Sequence, residues 1–200
     1  MVEEILRGVR LWRGCLDRTA QEAAVAAVRE VAAAAPFVRP VTRRGQPLSV
    51  RMTSAGACGW VSDRRGYRYE ARHPSGVPWP PIPAPWLALW DRLCPGARRP
   101  DACLVNWYAP DARMGLHQDR DEADLTQPVL SVSLGDDARF RIGSVARGGR
   151  TDSTILRSGD VAVLSGTARL VHHGVDRIHP GTSDLLDVPG RINLTLRVAR

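Results

Sequence analysis

The chain has 200 residues and a net charge of +7, with 28 basic residues that are all arginine. That length suits one compact domain with a sizeable core, and a surface this basic points to a polyanionic partner such as nucleic acid. No apolar run approaches a membrane span, and Met1-Val-Glu-Glu-Ile5 carries acids where a signal peptide has a basic region, so a cytoplasmic protein with no membrane partner is expected.

Asp17 and Thr19 can cap an Ala-rich helix over residues 20–34, which stops at Ala35-Pro36. A basic linker runs from Pro40 to Pro47. Short strands are predicted from Leu48 to Thr53, Gly59 to Val61 and Tyr67 to Tyr69, with Asp63-Arg-Arg-Gly66 turning between the last two. Residues 74–85 are too Pro-rich to be regular, and Pro85 to Leu93 reads as a short amphipathic helix stopped by Pro95-Gly96. After Asp101 the texture is β: strands are predicted at 102–108, 129–134, 138–142, 154–157, 160–164, 168–173 and 191–198. Polar loops occupy 145–153 and 176–190. The reading is mainly β, a double-sheet jelly roll at 101–200 behind an N-terminal helical and β-hairpin extension at 1–100, one compact domain overall. Cys15, Cys58, Cys94 and Cys103 lack paired metal spacing and read as reduced, buried thiols.

Three segments carry chemistry. His117-Gln-Asp119 supplies an imidazole and a carboxylate on one face of an extended segment, and His172 or His173 can add a second imidazole. Two histidines and one carboxylate with open positions hold Fe(II) in non-heme oxygenases. Alone, His-x-Asp is a weak signal. His73 and His179 fall in loops and receive no role. In Arg191-Ile-Asn193-Leu-Thr195-Leu-Arg197, polar residues alternate with apolar ones, so one strand face carries two arginines, an asparagine and a threonine. Taken alone that face could simply meet water. Two Arg forks also suit a dicarboxylate, and iron with a dicarboxylate suggests 2-oxoglutarate. Trp60, Tyr67 and Tyr69 lie among Arg51, Arg64, Arg65, Arg68 and Arg72. Rings interleaved with cations suit a flipped-out or single-stranded nucleotide, although an aromatic hairpin is more often plain core.

These segments, with Asn106-Trp-Tyr108-Ala-Pro110, Leu116-His-Gln-Asp119-Arg-Asp121-Glu122, Val129-Leu-Ser-Val-Ser-Leu-Gly135, Gly159-Asp160 and His173-Gly174, resemble the bacterial type of the AlkB family of DNA-alkylation repair dioxygenases. Upstream, Met52-Thr53, Trp60, Gly66-Tyr67-Arg-Tyr69 and Pro78-Trp-Pro80 extend the resemblance, which spans most of residues 47–200. Residues 1–46 carry little motif information. The resemblance implies a double-stranded β-helix using Fe(2+), 2-oxoglutarate and O2, with no catalytic residue beyond the metal ligands His117, Asp119 and His173. It implies cosubstrate contacts from Asn106 and Tyr108, joined by Arg191, Asn193, Thr195 and Arg197. Arg191 is assigned to the distal carboxylate and Arg197 nearer the chelating end. A nucleotide-recognition lid is implied at about 48–72, with Trp60 against the base and Tyr67, Arg68 and Tyr69 at the nucleotide backbone. Asp121, Arg147 and Met52 complete the implied pocket. The expected activity is demethylation of 1-methyladenine and 3-methylcytosine in single- or double-stranded DNA, releasing formaldehyde, succinate and CO2, by a monomeric bacterial protein. The same chemistry on RNA, tRNA or a protein side chain, and an inactive basic nucleic-acid-binding module, are the alternatives. Two departures are Trp107, where relatives often carry a charged residue, and Leu164-Ser-Gly166, which lacks an aromatic.

Overall fold

A computed structural model describes residues 2–200. In chain order its strands and helices are β1 (Val2–Leu6), β2 (Val9–Arg13), α1 (Arg18–Ala34), β3 (Arg51–Gly56), β4 (Gly59–Asp63), β5 (Gly66–Glu70) and α2 (Ala84–Leu93). There follow β6 (Ala102–Tyr108), β7 (Met114–His117), β8 (Val129–Gly135), β9 (Asp137–Ile142), β10 (Asp152–Leu156), β11 (Val161–Leu164), β12 (His173–His179) and β13 (Arg191–Arg197).

The strands form a seven-stranded sheet, β1-β2-β11-β8-β13-β6-β3, and a four-stranded sheet, β10-β9-β12-β7, with β4-β5 as a separate hairpin. Every pairing is antiparallel. The expected double-sheet architecture is therefore what forms. Period-two alternation decides where the site lies. On β13, Ile192, Leu194, Leu196 and the following Val198 join the core beneath the helices, with Val25 and Val28 of α1 and Trp86 and Trp90 of α2. The other face of that strand looks between the sheets, where Leu104, Tyr108, Phe140, Ile142 and Val175 pack. The register of β13 on β6 sets Asn193 opposite Asn106 and Arg191 opposite Tyr108. The register of β12 on β7 sets His173 opposite His117.

Several elements differ from the sequence reading. Residues 2–13 form a hairpin that extends the large sheet through β2 on β11. Its turn, Arg7-Gly8, has both residues at positive φ (50° and 81°), a geometry whose usual marker is Asn-Gly. The N-terminal half is thus not set apart from the core, because β1, β2 and β3 are strands of the main sheet. The predicted strand at 168–173 is instead a tight turn around a 3-10 segment, Gly166–Ala168, closed by Ala168 N–H to Ser165 O and Arg169 N–H to Gly166 O. Its apolar Ala168 and Val171 plug the core from a turn, which periodicity cannot distinguish from a strand. The strand begins at His173 and runs to His179, so the loop expected at 176–190 is shorter and His179 ends a strand. The strand β7 was not expected. Helix α1 starts at Arg18, one residue after Asp17, whose carboxylate accepts from Ala20 N–H at 2.8 Å. No helix among the described residues is long and apolar enough to cross a membrane.

Asp136 anchors the approach to β13. It is buried, and its carboxylate accepts from the backbone N–H groups of Thr182, Ser183 and Gly190 at 3.0, 3.1 and 2.8 Å. Asp136→Ala should leave three donors without that acceptor. We expect a loss of at least about 1.5–3 kcal/mol, the worth of one hydrogen bond to a charged group. Urea denaturation of the two proteins checks this.

Candidate active site

His117 ends β7, Asp119 follows in the loop, and His173 opens β12. One ligand atom from each lies within 4.8 Å of the others, and this is the one such cluster of His, Cys, Asp or Glu among the described residues. His117 Nε2 is 3.7 Å from Asp119 Oδ1, and His173 Nε2 is 3.5 Å from Asp119 Oδ2. Each ring uses Nδ1 elsewhere: His117 donates to Gly115 O at 2.9 Å and His173 to Val171 O at 3.0 Å. A carbonyl only accepts, so the proton sits on Nδ1 and the two Nε2 lone pairs are free to converge on a cation. Burial, and then the neighbouring His173, lowers the His117 pKa and keeps that ring neutral. Burial alone would raise the Asp119 carboxyl, but Arg197 and the two histidines outweigh it and hold the group well below the usual carboxylate range. Gly174 is needed beside His173, because a Cβ there would meet the carbonyl oxygens of Met114 and Gly115 at 2.5 and 2.7 Å. His172 faces away, with its Nδ1 3.0 Å from Ser144 O.

These groups open into a cavity of about 490 Å³, within the range of small-molecule sites. Its inner wall carries Asn106, Tyr108, Arg191, Asn193, Thr195 and Arg197. The two arginines differ. Arg197 is already paired: Nη2 donates to Asp119 Oδ1 at 2.8 Å, and Nη1 lies 3.1 Å from the Tyr69 hydroxyl and 3.3 Å from Glu122 Oε1. Arg191 is 1 % exposed and donates to Ser133 Oγ at 2.6 Å, with the carbonyls of Asp136 and Leu156 at 3.5 Å. It forms no ion pair among the described residues, its Nε has no partner, and burial pulls its pKa down to about 10. A buried cation in that state calls for an anion. The Tyr108 phenol, pushed up to about 12 by burial, stays protonated and has only Met114 Sδ at 3.7 Å as a partner. Asn193 is held by Ser131 Oγ and Val132 O, and Thr195 donates to Asn193 Oδ1 at 2.8 Å. The orphaned buried Arg191 Nε and the free phenol, opposite a two-histidine, one-carboxylate cluster, fit a dicarboxylate and a divalent metal together.

Met52, Trp60, Tyr67 and Asp121 line the same cavity toward its mouth. Trp60 stacks on Tyr67 at 5.4 Å between ring centroids, and its indole N–H donates to Asp121 Oδ2 at 2.9 Å. Tyr67 is half exposed. The remaining expected contacts lie elsewhere. Arg68 is engaged by Asp63 and Glu70 along its own hairpin. Tyr69 turns inward, donating to Glu122 Oε1 at 2.7 Å, outside the cavity lining. Arg147 sits on an exposed loop and is likewise not in the lining. Sequence reading missed Ser131 and Ser133, whose alternation in Val129-Leu-Ser-Val-Ser-Leu was visible, and Arg169, which no pattern marked.

Comparison with known proteins places this geometry in context. The profile of the 2OG-Fe(II) oxygenase superfamily matches residues 8–197. The alpha-ketoglutarate-dependent dioxygenase AlkB homolog of Caulobacter vibrioides is 56% identical over 197 residues, covering 98% of this chain and 90% of the relative. The alpha-ketoglutarate-dependent dioxygenase AlkB of Escherichia coli K12 is 40% identical, covering 90% and 85%. The solved structure of OsALKBH1 superposes with a TM-score of 0.83 at 33% identity, covering 98% and 99%.

The geometry predicts that His117→Ala, Asp119→Ala and His173→Ala each abolish stoichiometric binding of Co(II), while His172→Ala keeps it. Titration followed by the visible absorption of bound Co(II) checks this. Loss in His172→Ala with retention in His173→Ala would reverse the assignment.

Proposed function

The chain belongs to the AlkB family of the 2OG-Fe(II) oxygenase superfamily, and on that premise we propose that it repairs alkylated DNA by oxidising methyl groups on the ring nitrogens of bases. It is an Fe(II)- and 2-oxoglutarate-dependent dioxygenase. His117 Nε2, Asp119 and His173 Nε2 are the proposed iron ligands. Arg191 takes the distal carboxylate of 2-oxoglutarate, with Tyr108, Asn106, Asn193 and Thr195 along the chain of the cosubstrate and Arg197 at its inner end. Bound together, iron and 2-oxoglutarate activate O2 and supply the oxidising power that turns an N-methyl group into formaldehyde, leaving succinate and CO2.

The protein's own part is to hold, orient and shield. The observation that carries the reading is the pairing of the metal-type cluster with a buried arginine that lacks an anion, both on the wall of one cavity. Trp60, Tyr67, Met52 and Asp121 form the proposed base pocket at the mouth. Asp121 is anchored there by the Trp60 indole N–H through Oδ2, which leaves its other oxygen for a base. 1-Methyladenine and 3-methylcytosine are cationic, so a ring face and a carboxylate attract them more than a neutral base.

The test is mass spectrometry of matched DNA and RNA oligonucleotides carrying these lesions, incubated with Fe(II), ascorbate and 2-oxoglutarate. Loss of one methyl group from the DNA is expected. Demethylation confined to RNA would move the substrate, and succinate release with every base untouched would overturn the base-repair reading. In the same assay Trp60→Ala should slow repair about five- to hundredfold, since stacking of one base contributes about 1–3 kcal/mol. Its metal content and 2-oxoglutarate affinity should match the wild type. Asp121→Ala should lose more on 1-methyladenine than on the neutral 1-methylguanine. An equal loss on both would remove the charge argument.

A further inference from the structure

Behind the cluster, outside the cavity lining, Arg169 and Glu122 form a second pair of buried charges. Arg169, 3 % exposed, makes three hydrogen bonds into the segment that follows His117. Nη1 donates to the Asp119 backbone carbonyl at 2.6 Å, Nη2 to Glu122 Oε2 at 3.1 Å, and Nε to Gln127 O at 2.6 Å. Glu122, itself buried, presents its other oxygen to Arg197 Nη1 at 3.3 Å and to the Tyr69 hydroxyl at 2.7 Å. Arg197 then returns to Asp119 Oδ1 at 2.8 Å. The contacts close a circuit that begins on the Asp119 carbonyl and ends on the Asp119 carboxylate.

We propose that Arg169 and Glu122 are positioning residues that fix the Asp119 carboxylate for the metal. The circuit holds this residue at both ends, its backbone by Arg169 and its side chain by Arg197, and Glu122 ties the two arginines together. Arg197 occupies Oδ1, so Oδ2, 3.5 Å from His173 Nε2, is the oxygen left to the metal. Neither Arg169 nor Glu122 lines the cavity, so their action runs through Asp119. The guanidinium suits the task because its planar fork serves three acceptors at once, which a single ammonium cannot do in the same geometry.

The proposal rests on the reading of Asp119 as a metal ligand, and its sign separates it from simple electrostatics. Arg169 is a cation near a site for another cation. Removing it should tighten metal binding if charge alone mattered. Positioning predicts the opposite. The experiment is Co(II) titration of the metal-free protein, followed by visible absorption, for wild type, Asp119→Ala, Arg169→Gln, Arg169→Lys, Glu122→Gln and the double variant Glu122→Gln/Arg169→Gln. We expect Arg169→Gln to lose tenfold or more in Co(II) affinity and Arg169→Lys to recover only part of it. The double variant should lose no more than the worse single one, because both act in one circuit. Folded Arg169→Gln binding Co(II) as tightly as wild type, or tighter, overturns the proposal, as do fully additive losses. Should Arg169→Gln fail to fold, Arg169→Lys decides: unchanged affinity there is equally fatal. Binding that ignores Asp119→Ala overturns the ligand reading and this one together, whereas binding that needs Asp119 but ignores Arg169 overturns this one alone.

Discussion

The constraint on which the site depends is the burial of charge between two sheets. Asp119, Glu122, Arg169, Arg191 and Arg197 are all buried. Four of them neutralise one another through short contacts among Asp119, Glu122, Arg169 and Arg197. Arg191 is left over. Leaving a charge unpaired in a low-dielectric interior is costly, and evolution tolerates it where a ligand completes the pair. The seven-stranded sheet makes this possible, because β13 is a central strand flanked on both sides by β8 and β6. Its position fixes Arg191 and Arg197 three pleat repeats apart, facing the same chamber, while its other face is sealed by the helices.

That placement also explains the division of labour between the sheets. The large sheet supplies the wall that carries Asn106 of β6 and Arg191, Asn193 and Arg197 of β13, and the small sheet supplies the paired histidines from β7 and β12. The Asp119 carboxylate of the same cluster comes from the connection that leaves β7. A loop is a flexible place for the proposed metal ligand, and this loop is tied from beneath by hydrogen bonds from Arg169 and Arg197. The β4-β5 hairpin closes the mouth with Trp60 and Tyr67 and reaches the same buried network through Tyr69.

Much of this was legible in the residues. The alternation of Arg191-Ile-Asn193-Leu-Thr195-Leu-Arg197 is a local signal, and strand periodicity alone assigns its two faces. The strand at 102–108 was legible as a short, mostly apolar run, the pattern of a strand buried on both faces. Other features depend on what lies across space. Tyr67 and Tyr69 share one strand face, yet one stacks on Trp60 and the other reaches Glu122, which parity cannot foretell. Arg169 fell within the strand expected at 168–173 with no motif to mark it, and the turn at 166–168 directs it inward. The Arg7-Gly8 hairpin was not legible because its turn lacks the usual Asn-Gly marker.

The central claim is that Arg191 is the receptor for the second carboxylate of the cosubstrate. Calorimetry under nitrogen, with Mn(II) in place of iron, can compare 2-oxoglutarate with 2-oxopentanoate, a 2-oxo acid of the same length that ends in a methyl group. The wild type should prefer 2-oxoglutarate by roughly ten- to hundredfold or more, the equivalent of a charge-assisted hydrogen bond of about 1.5–3 kcal/mol. Arg191→Met should bind the two acids with nearly equal affinity. A preference that survives intact in folded Arg191→Met would contradict the account.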